Sequence, residues 1–358
     1  MTDDLTLTVN GRVYGGWTEA SVTRSITQMA GSFNIAVSER WFGQDRAWAI
    51  EPWSAVQVRI GDDLILSGYV DDYQPSYGPA AHSVRVLGRS KTADLVDCSP
   101  EIDGGQFKGY KLDAIARAVC NLFGLGVVVQ ADMGDGFPDA TIERAETAYE
   151  FLERLCRLRG VFATDDETGN LVLTRAGTTR ASGSLREGDN ILSASAKLSV
   201  AKRFSKYVVR TQHGVTADWD QVVTDVMGAS TDGGCPRYRP HVAMGESQLT
   251  PAQASARARW QAVYATARGL QASVTLQGWR QPDGSPWRVN QIVPVVSPML
   301  GLDRELLTAA VTTSLKDGEG RRTRLTLGPV EGYTPDPVQV QKTKGDGVST
   351  WNDVQKVS

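Results

Sequence analysis

The residues able to do chemistry are few, and their spacing selects no reaction. Of the three histidines, His82 and His241 stand in turn-like sequence, while His213 follows a strand pattern with Asp218 and Asp220 downstream. A histidine and a carboxylate can form an acid–base dyad, but no nucleophile or pocket signal accompanies this one, so these groups read as surface polar residues. The run ADMGDGFPDA places Asp132, Asp135 and Asp139 among glycines as a calcium loop would, yet it lacks the D-x-D-x-D-G spacing and the distant Glu. It reads as a solvated loop. The four cysteines, Cys98, Cys120, Cys156 and Cys235, form no CxxC pair and have no histidine at zinc-ligand spacing. Cys120 and Cys156 fall within apolar helical patterns and are expected to be buried thiols acting as small hydrophobes.

The chain contains no GxSxG, HExxH, GxxxxGK or GxGxxG. Its 41 acidic residues include no pair whose spacing marks a glycosidase. Trp53, Trp260 and Trp287 sit within strand or helix patterns, where core or interface packing explains them better than a carbohydrate-binding stripe does. The sequence therefore predicts no catalytic residue, no cofactor, no metal ligand and no enzymatic activity.

What remains is a structural or binding role, and bulk properties narrow it. The 358 residues are 41% hydrophobic and 22% charged, the composition of two to four folded domains. A net charge of −3 leaves no basic excess to neutralise phosphates, so specific nucleic-acid binding is not expected. The longest apolar runs, near 124–129 and 291–296, fall far short of the roughly 20 residues that cross a bilayer, and no membrane insertion is expected. The start, MTDDLTLTVNG, is acidic and polar where a secretory signal would be basic and then apolar. The expected location before assembly is the cytoplasm of the producing cell.

Residues 1–96 read as short strands. Leu5, Leu7 and Val9 alternate with polar residues, as do Phe33, Ile35 and Val37, then Val56, Val58 and Ile60, then Val84 and Val86. Several such strands at short spacing predict a small antiparallel barrel. Residues 97–189 predict an inserted α+β domain. Leu112, Ile115, Ala116, Val119 and Phe123 line one helix face and Gly124 ends it; Thr147 and Glu150 form the capping box of a second helix that Gly160 stops. A hairpin, VFAT and LVLT, follows. Residues 190–334 return to β structure, with an excursion over about 214–251 and a helix opened by Thr250 and Pro251. Small residues at Ala254, Ala258, Val263 and Ala267 would let this helix lie close to a neighbouring sheet or subunit. Residues 335–358 form an extended tail, with Val338, Val340, Val348 and Trp351 as the anchors of a docking segment.

The two β segments repeat an order of features. Pro52 and Trp53, the strand Val56 to Ile60, LILSGYV and VRVLG in the first correspond to Pro286 and Trp287, the strand Ile292 to Val296, ELLTAAV and LTLG in the last. The expected fold is mainly β with α+β: two similar small antiparallel β-barrels flanking the inserted domain.

Two stretches carry a family resemblance. ETAYEFLERLCRLRGVFATDDETGNLVLTRAG at 146–177 is similar to the capped helix, glycine stop and hairpin that Mu-like baseplate hub proteins of contractile phage tails carry between their barrels. Residues 255–333, with DGSPWRVN and LLTAAV, resemble the last barrel of that family. Relatives include the T-even phage hub and the spike-base proteins of type VI secretion. The resemblance implies a structural homotrimer forming a pseudo-sixfold ring on the tail axis between the tube and the spike, next to the baseplate wedges. DNA would pass through it without specific binding, and the protein would belong to the virion. The alternative is a hub of a related injection or secretion machine. A third reading, an enzyme or glycan-binding module, would need a carboxylate pair in a cleft.

Overall fold

Alternation with period two builds the first domain. In a computed structural model that describes residues 4–38, 50–78, 82–212, 225–245 and 249–336, seven strands occupy this segment. They are β1 (Leu5–Val9), β2 (Arg12–Tyr14), β3 (Glu19–Ser25), β4 (Ser32–Ser38), β5 (Ala55–Ile60), β6 (Asp63–Tyr77) and β7 (His82–Ser90). They pair in the order β2-β1-β5-β6-β7-β4-β3. The alternating residues named from the sequence, Leu7, Phe33, Ile35, Val58 and Val86 among them, face one core. Gly88 is required there: a Cβ would stand 2.1 Å from the Tyr69 carbonyl and 2.5 Å from the Phe33 ring.

The inserted domain contains α1 (Ala93–Asp97), β8 (Gln106–Phe107), α2 (Leu112–Leu122), β9 (Val127–Val129), β10 (Ala140–Thr141), α3 (Ala148–Arg159), β11 (Phe162–Asp165) and β12 (Leu171–Thr174). The apolar face of α2 meets Phe151, Leu152, Leu155 and Cys156 of α3, over Leu171 and Leu173 of the hairpin. The capping box of Thr147 and Glu150 is formed, and Gly160 closes α3 at φ +62°. Both features follow from local chemistry, which is why the sequence displayed them.

The last segment adds β13 (Thr179–Arg180), β14 (Leu185–Arg186), β15 (Ile191–Leu198), β16 (Lys206–Gln212), β17 (Asp225–Thr231), β18 (Pro240–Met244), α4 (Pro251–Arg268), β19 (Leu270–Gln277), β20 (Gln291–Ser297), β21 (Leu302–Lys316) and β22 (Gly320–Gly328). Here the domain limits differ from those expected. β13 and β14 fall before residue 189, yet they pair in parallel with β20 of the last domain. The reason is register: their backbone partners lie more than 100 residues away and leave no local mark. The strand at Lys206–Gln212 also leaves the barrel, joining β17 and β18 in a separate three-stranded sheet beneath α4. Small residues bring this helix close, as expected from its sequence. Ala254 and Ala258 are buried, and a Cβ on Gly228 would lie 2.1 Å from the Ala254 carbonyl carbon. Val263 is exposed, and Ala262 holds the inward position.

The second barrel repeats the first. Its order β15-β19-β22-β21-β20, extended by β13 and β14, matches β3-β4-β7-β6-β5 extended by β1. β6 and β21 are each 15 residues long, and each breaks register once against the strand that follows it, between Val70 and Asp72 and between Thr308 and Ala310. Just before β5 and β20 a non-glycine residue takes a left-handed backbone: Trp53 at φ +71° donates its N–H to the Val70 carbonyl, and Asn290 at φ +63° donates to that of Thr308. These landmarks correct the equivalence drawn from sequence. Trp53 corresponds to Asn290, and Val70 to Thr308. Trp287 is buried whereas Trp53 is 87% exposed, so Pro-Trp is a chance match beside a genuine repeat. The large–small order is reversed between copies: Phe33 lies opposite Gly88, while Ala272 lies opposite Leu327.

β3 pairs antiparallel with the second half of β21, Glu19 to Ser25 against Lys316 to Ala310, so both barrels share one continuous sheet.

Candidate assembly surface

Charged residues on all three domains converge behind this joint. Arg24 on β3 reaches the hairpin of the inserted domain, bonding the Asp165 carbonyl and, at 3.2 Å, the Asp165 carboxylate. Its other nitrogen meets Glu167 at 2.8 Å. Asp165 also accepts the Gly31 N–H at 3.0 Å, and Arg288 of the second barrel approaches Glu167 at 3.5 Å. The Asp165 side chain is 2% exposed, so Arg24 compensates a charge removed from water. Arg280 repeats the device between the barrels, bonding Asp63 and the Ile60 carbonyl. Trp279, from the second barrel, completes the core of the first, with its indole N–H on the Ser314 carbonyl at 2.9 Å. None of these residues was singled out by sequence, because the partners are up to 220 residues apart and no local pattern joins them. The clamps fix the barrels as one body.

The residues weighed for chemistry do not converge. His82 begins β7 and His241 lies in β18, stacked on Phe204 with ring centres 4.8 Å apart. Both belong to strands where turns were expected: His82 pairs with Tyr77 at the end of a hairpin, and His241 with Tyr207, a partner remote in sequence. His213, Asp218 and Asp220 lie outside the described residues. In the acidic loop Asp132 accepts the Gly134 N–H, and Asp139 accepts from Gln106 and Thr141. These carboxylates serve as turn and loop acceptors. Cys120 and Cys156 are buried, and desolvation pushes the Cys120 thiol up to about 12 and raises that of Cys156 further. Such thiols are poor nucleophiles and poor metal ligands. No helix among the described residues is long and apolar enough to cross a membrane.

Among the described residues the sheet that joins the barrels has several open edges, two of them on strands of the repeat. β15 pairs only with β19 among the described residues, and the 72–77 half of β6 pairs only with β7. Leu198 on the first edge is 74% exposed and Tyr77 on the second 88%. Open edges bearing apolar groups on a clamped, two-barrel body are the features of a protein built to assemble.

The comparisons with known proteins agree with that class. Residues 4–90 match the N-terminal domain of the Mu phage baseplate assembly protein GpP-like family, 92–175 the second domain of the gp44-like baseplate hub proteins, and 250–336 the fourth domain of GpP. The baseplate hub protein gp44 of Escherichia phage Mu is 34% identical over 344 residues, spanning 93% of this chain and 89% of that one. The crystal structure of the 43 kDa tail protein of prophage MuSo2 from Shewanella oneidensis is 37% identical, with a TM-score of 0.84 over 92% of this chain and 99% of the other. A tail protein from Neisseria meningitidis MC58 shares the fold at 19% identity, with a TM-score of 0.78 over 93% and 98% of the two chains. The chain belongs to the Mu-type baseplate hub protein family of bacteriophage tails.

Proposed function

We propose that this hub protein forms a homotrimer in which the two barrels of each subunit alternate around one ring on the tail axis. The carrying observation is the repeat itself: equal strand order, an equally placed bulge and an equal left-handed entry turn in the first barrel, β1–β7, and in the second, β13–β15 with β19–β22. Three chains then present six similar units. A threefold spike can meet a sixfold tube through such a ring without a different contact for every tube subunit. Tube, spike and wedge proteins are the partners of this reading.

DNA passes through the ring in transit and is not held. The net charge of −3 suits a polar channel without the clustered Lys and Arg that would retain phosphates. The protein acts as a scaffold, without catalysis, within the virion, and gathers in the host cytoplasm before assembly. The tail 335–358, of which residues 337–358 lie outside the described residues, is proposed to dock on the spike or wedge. Light scattering on the purified chain tests the oligomer. A mass three times 38.8 kDa, rising with concentration from any monomer present, is the expected result; a dimer, or a monomer at every concentration and salt, contradicts it.

A further inference from the structure

The contact between subunits of that ring can be read from the contact within one chain. Inside the chain, β3 lies on the second half of β21. By the pairings that relate the two barrels, β15 is the copy of β3: Ala194 and Ala196 face Val274 and Ala272 as Ala20 and Val22 face Ile35 and Phe33. Likewise the 72–77 half of β6 is the copy of the 310–315 half of β21, each following its bulge, with Tyr73 opposite Val86 where Val311 is opposite Leu325. The chain thus contains each half of the joint twice. One β3-type strand and one β21-type strand are joined; among the described residues the other of each kind is at an edge.

Resting on the trimeric ring proposed above, we propose that β15 of one subunit pairs antiparallel with residues 72–77 of the next, repeating the β3–β21 register. Carried across residue by residue, Leu198 lies opposite Tyr73, Lys197 opposite Gln74, Ala196 opposite Pro75, Ser195 opposite Ser76 and Ala194 opposite Tyr77. Side-chain size is complementary in this register. Tyr77 meets Ala194 as Leu315 meets Ala20, and the exposed Leu198 is covered by Tyr73. Lys197 and Gln74 replace Thr23 and Thr312, whose hydroxyls bond across the inner joint at 3.0 Å; the ammonium donates to the amide oxygen instead. A slip of one residue would turn Leu198 and Tyr73 to opposite faces.

Pro75 fits the same geometry. In the inner joint the Ile26 N–H donates to the Ala309 carbonyl and the Asp317 N–H to that of Thr18. Alternation then makes Val22 and Thr313 a hydrogen-bonded pair. Pro75, in the place of Thr313, turns its donor-less nitrogen toward the edge, where proline is tolerated. Each outer joint therefore lacks one bond that the inner joint has. Pro75 and Lys197 also discourage indiscriminate edge pairing by the unassembled subunit.

The test is disulfide trapping in a chain whose exposed Cys98 and half-buried Cys235 are replaced by serine. Gln74→Cys with Lys197→Cys is a non-hydrogen-bonded pair in this register, close enough for a disulfide. Mild oxidation is expected to give a covalent trimer as the main species on a denaturing gel. Gln74→Cys with Ser193→Cys, four residues out of register, is expected to give none. Mixing the two single variants is expected to give a covalent dimer that neither gives alone. A trimer by light scattering that fails to cross-link at 74 and 197, or cross-links as well through 74 and 193, overturns the joint and leaves the ring standing. A chain that is monomeric throughout overturns both.

Discussion

At the residue scale, one arginine bridges two domains. Removing Arg24 would strand Asp165, which is 2% exposed, beside Glu167. Arg24→Ala is expected to lower unfolding free energy by about 3–5 kcal/mol, measured by urea denaturation. A change below about 1 kcal/mol would mean that water replaces the guanidinium there. A second ion pair supports the small sheet under α4. Arg203, at 2.8 Å, and the Gly234 N–H, at 2.9 Å, hold the Asp232 carboxyl at about 2. Since the folded value lies below the unfolded one, near 3.9, the stabilisation is complete above about pH 4. It is lost as pH falls through the folded value. Asp232→Asn is expected to cost roughly 2 kcal/mol at neutral pH and to flatten the acid limb between about pH 4 and 2. Melting temperatures across that range check this, and parallel curves for both proteins would count against it.

At the element scale, the parts legible in the sequence are those set by neighbours along the chain. The capping box at Thr147, the N-cap at Thr250, the glycine stop at Gly160 and the alternating strands of the first barrel each depend on residues within four positions. What stayed hidden depends on remote partners: the β3–β21 joint, β13 and β14 on β20, and the separate sheet of β16–β18. The internal repeat was legible in outline but placed on the wrong landmark, because Pro-Trp is conspicuous whereas a left-handed backbone at Trp53 and Asn290 has no shared residue type. The same reasoning ranks two substitutions on and beneath α4. Thr250→Ala removes one half of its capping box and should cost about 1 kcal/mol. Gly228→Val puts side-chain atoms where the backbone of Ala254 already lies and should cost about 3 kcal/mol or more. Chemical denaturation gives both, and the reverse ranking would mean that α4 sits farther from its sheet.

At the scale of the whole molecule, long-range polar bonds hold two barrels and an inserted domain in fixed relation. Rigidity of that kind would serve the proposed ring, where angular error at each joint accumulates and six joints must close. It also explains why the inner joint is reinforced by Arg24, Arg280 and Trp279 while the proposed outer joint relies on strand pairing with a proline in it. The subunit should survive alone and assemble only at sufficient concentration. Electron microscopy of the purified oligomer tests this account most directly. The expected image is a threefold ring whose six barrel units lie at one radius and alternate between two kinds. Barrels at two distinct radii, or an oligomer without threefold symmetry, would contradict it.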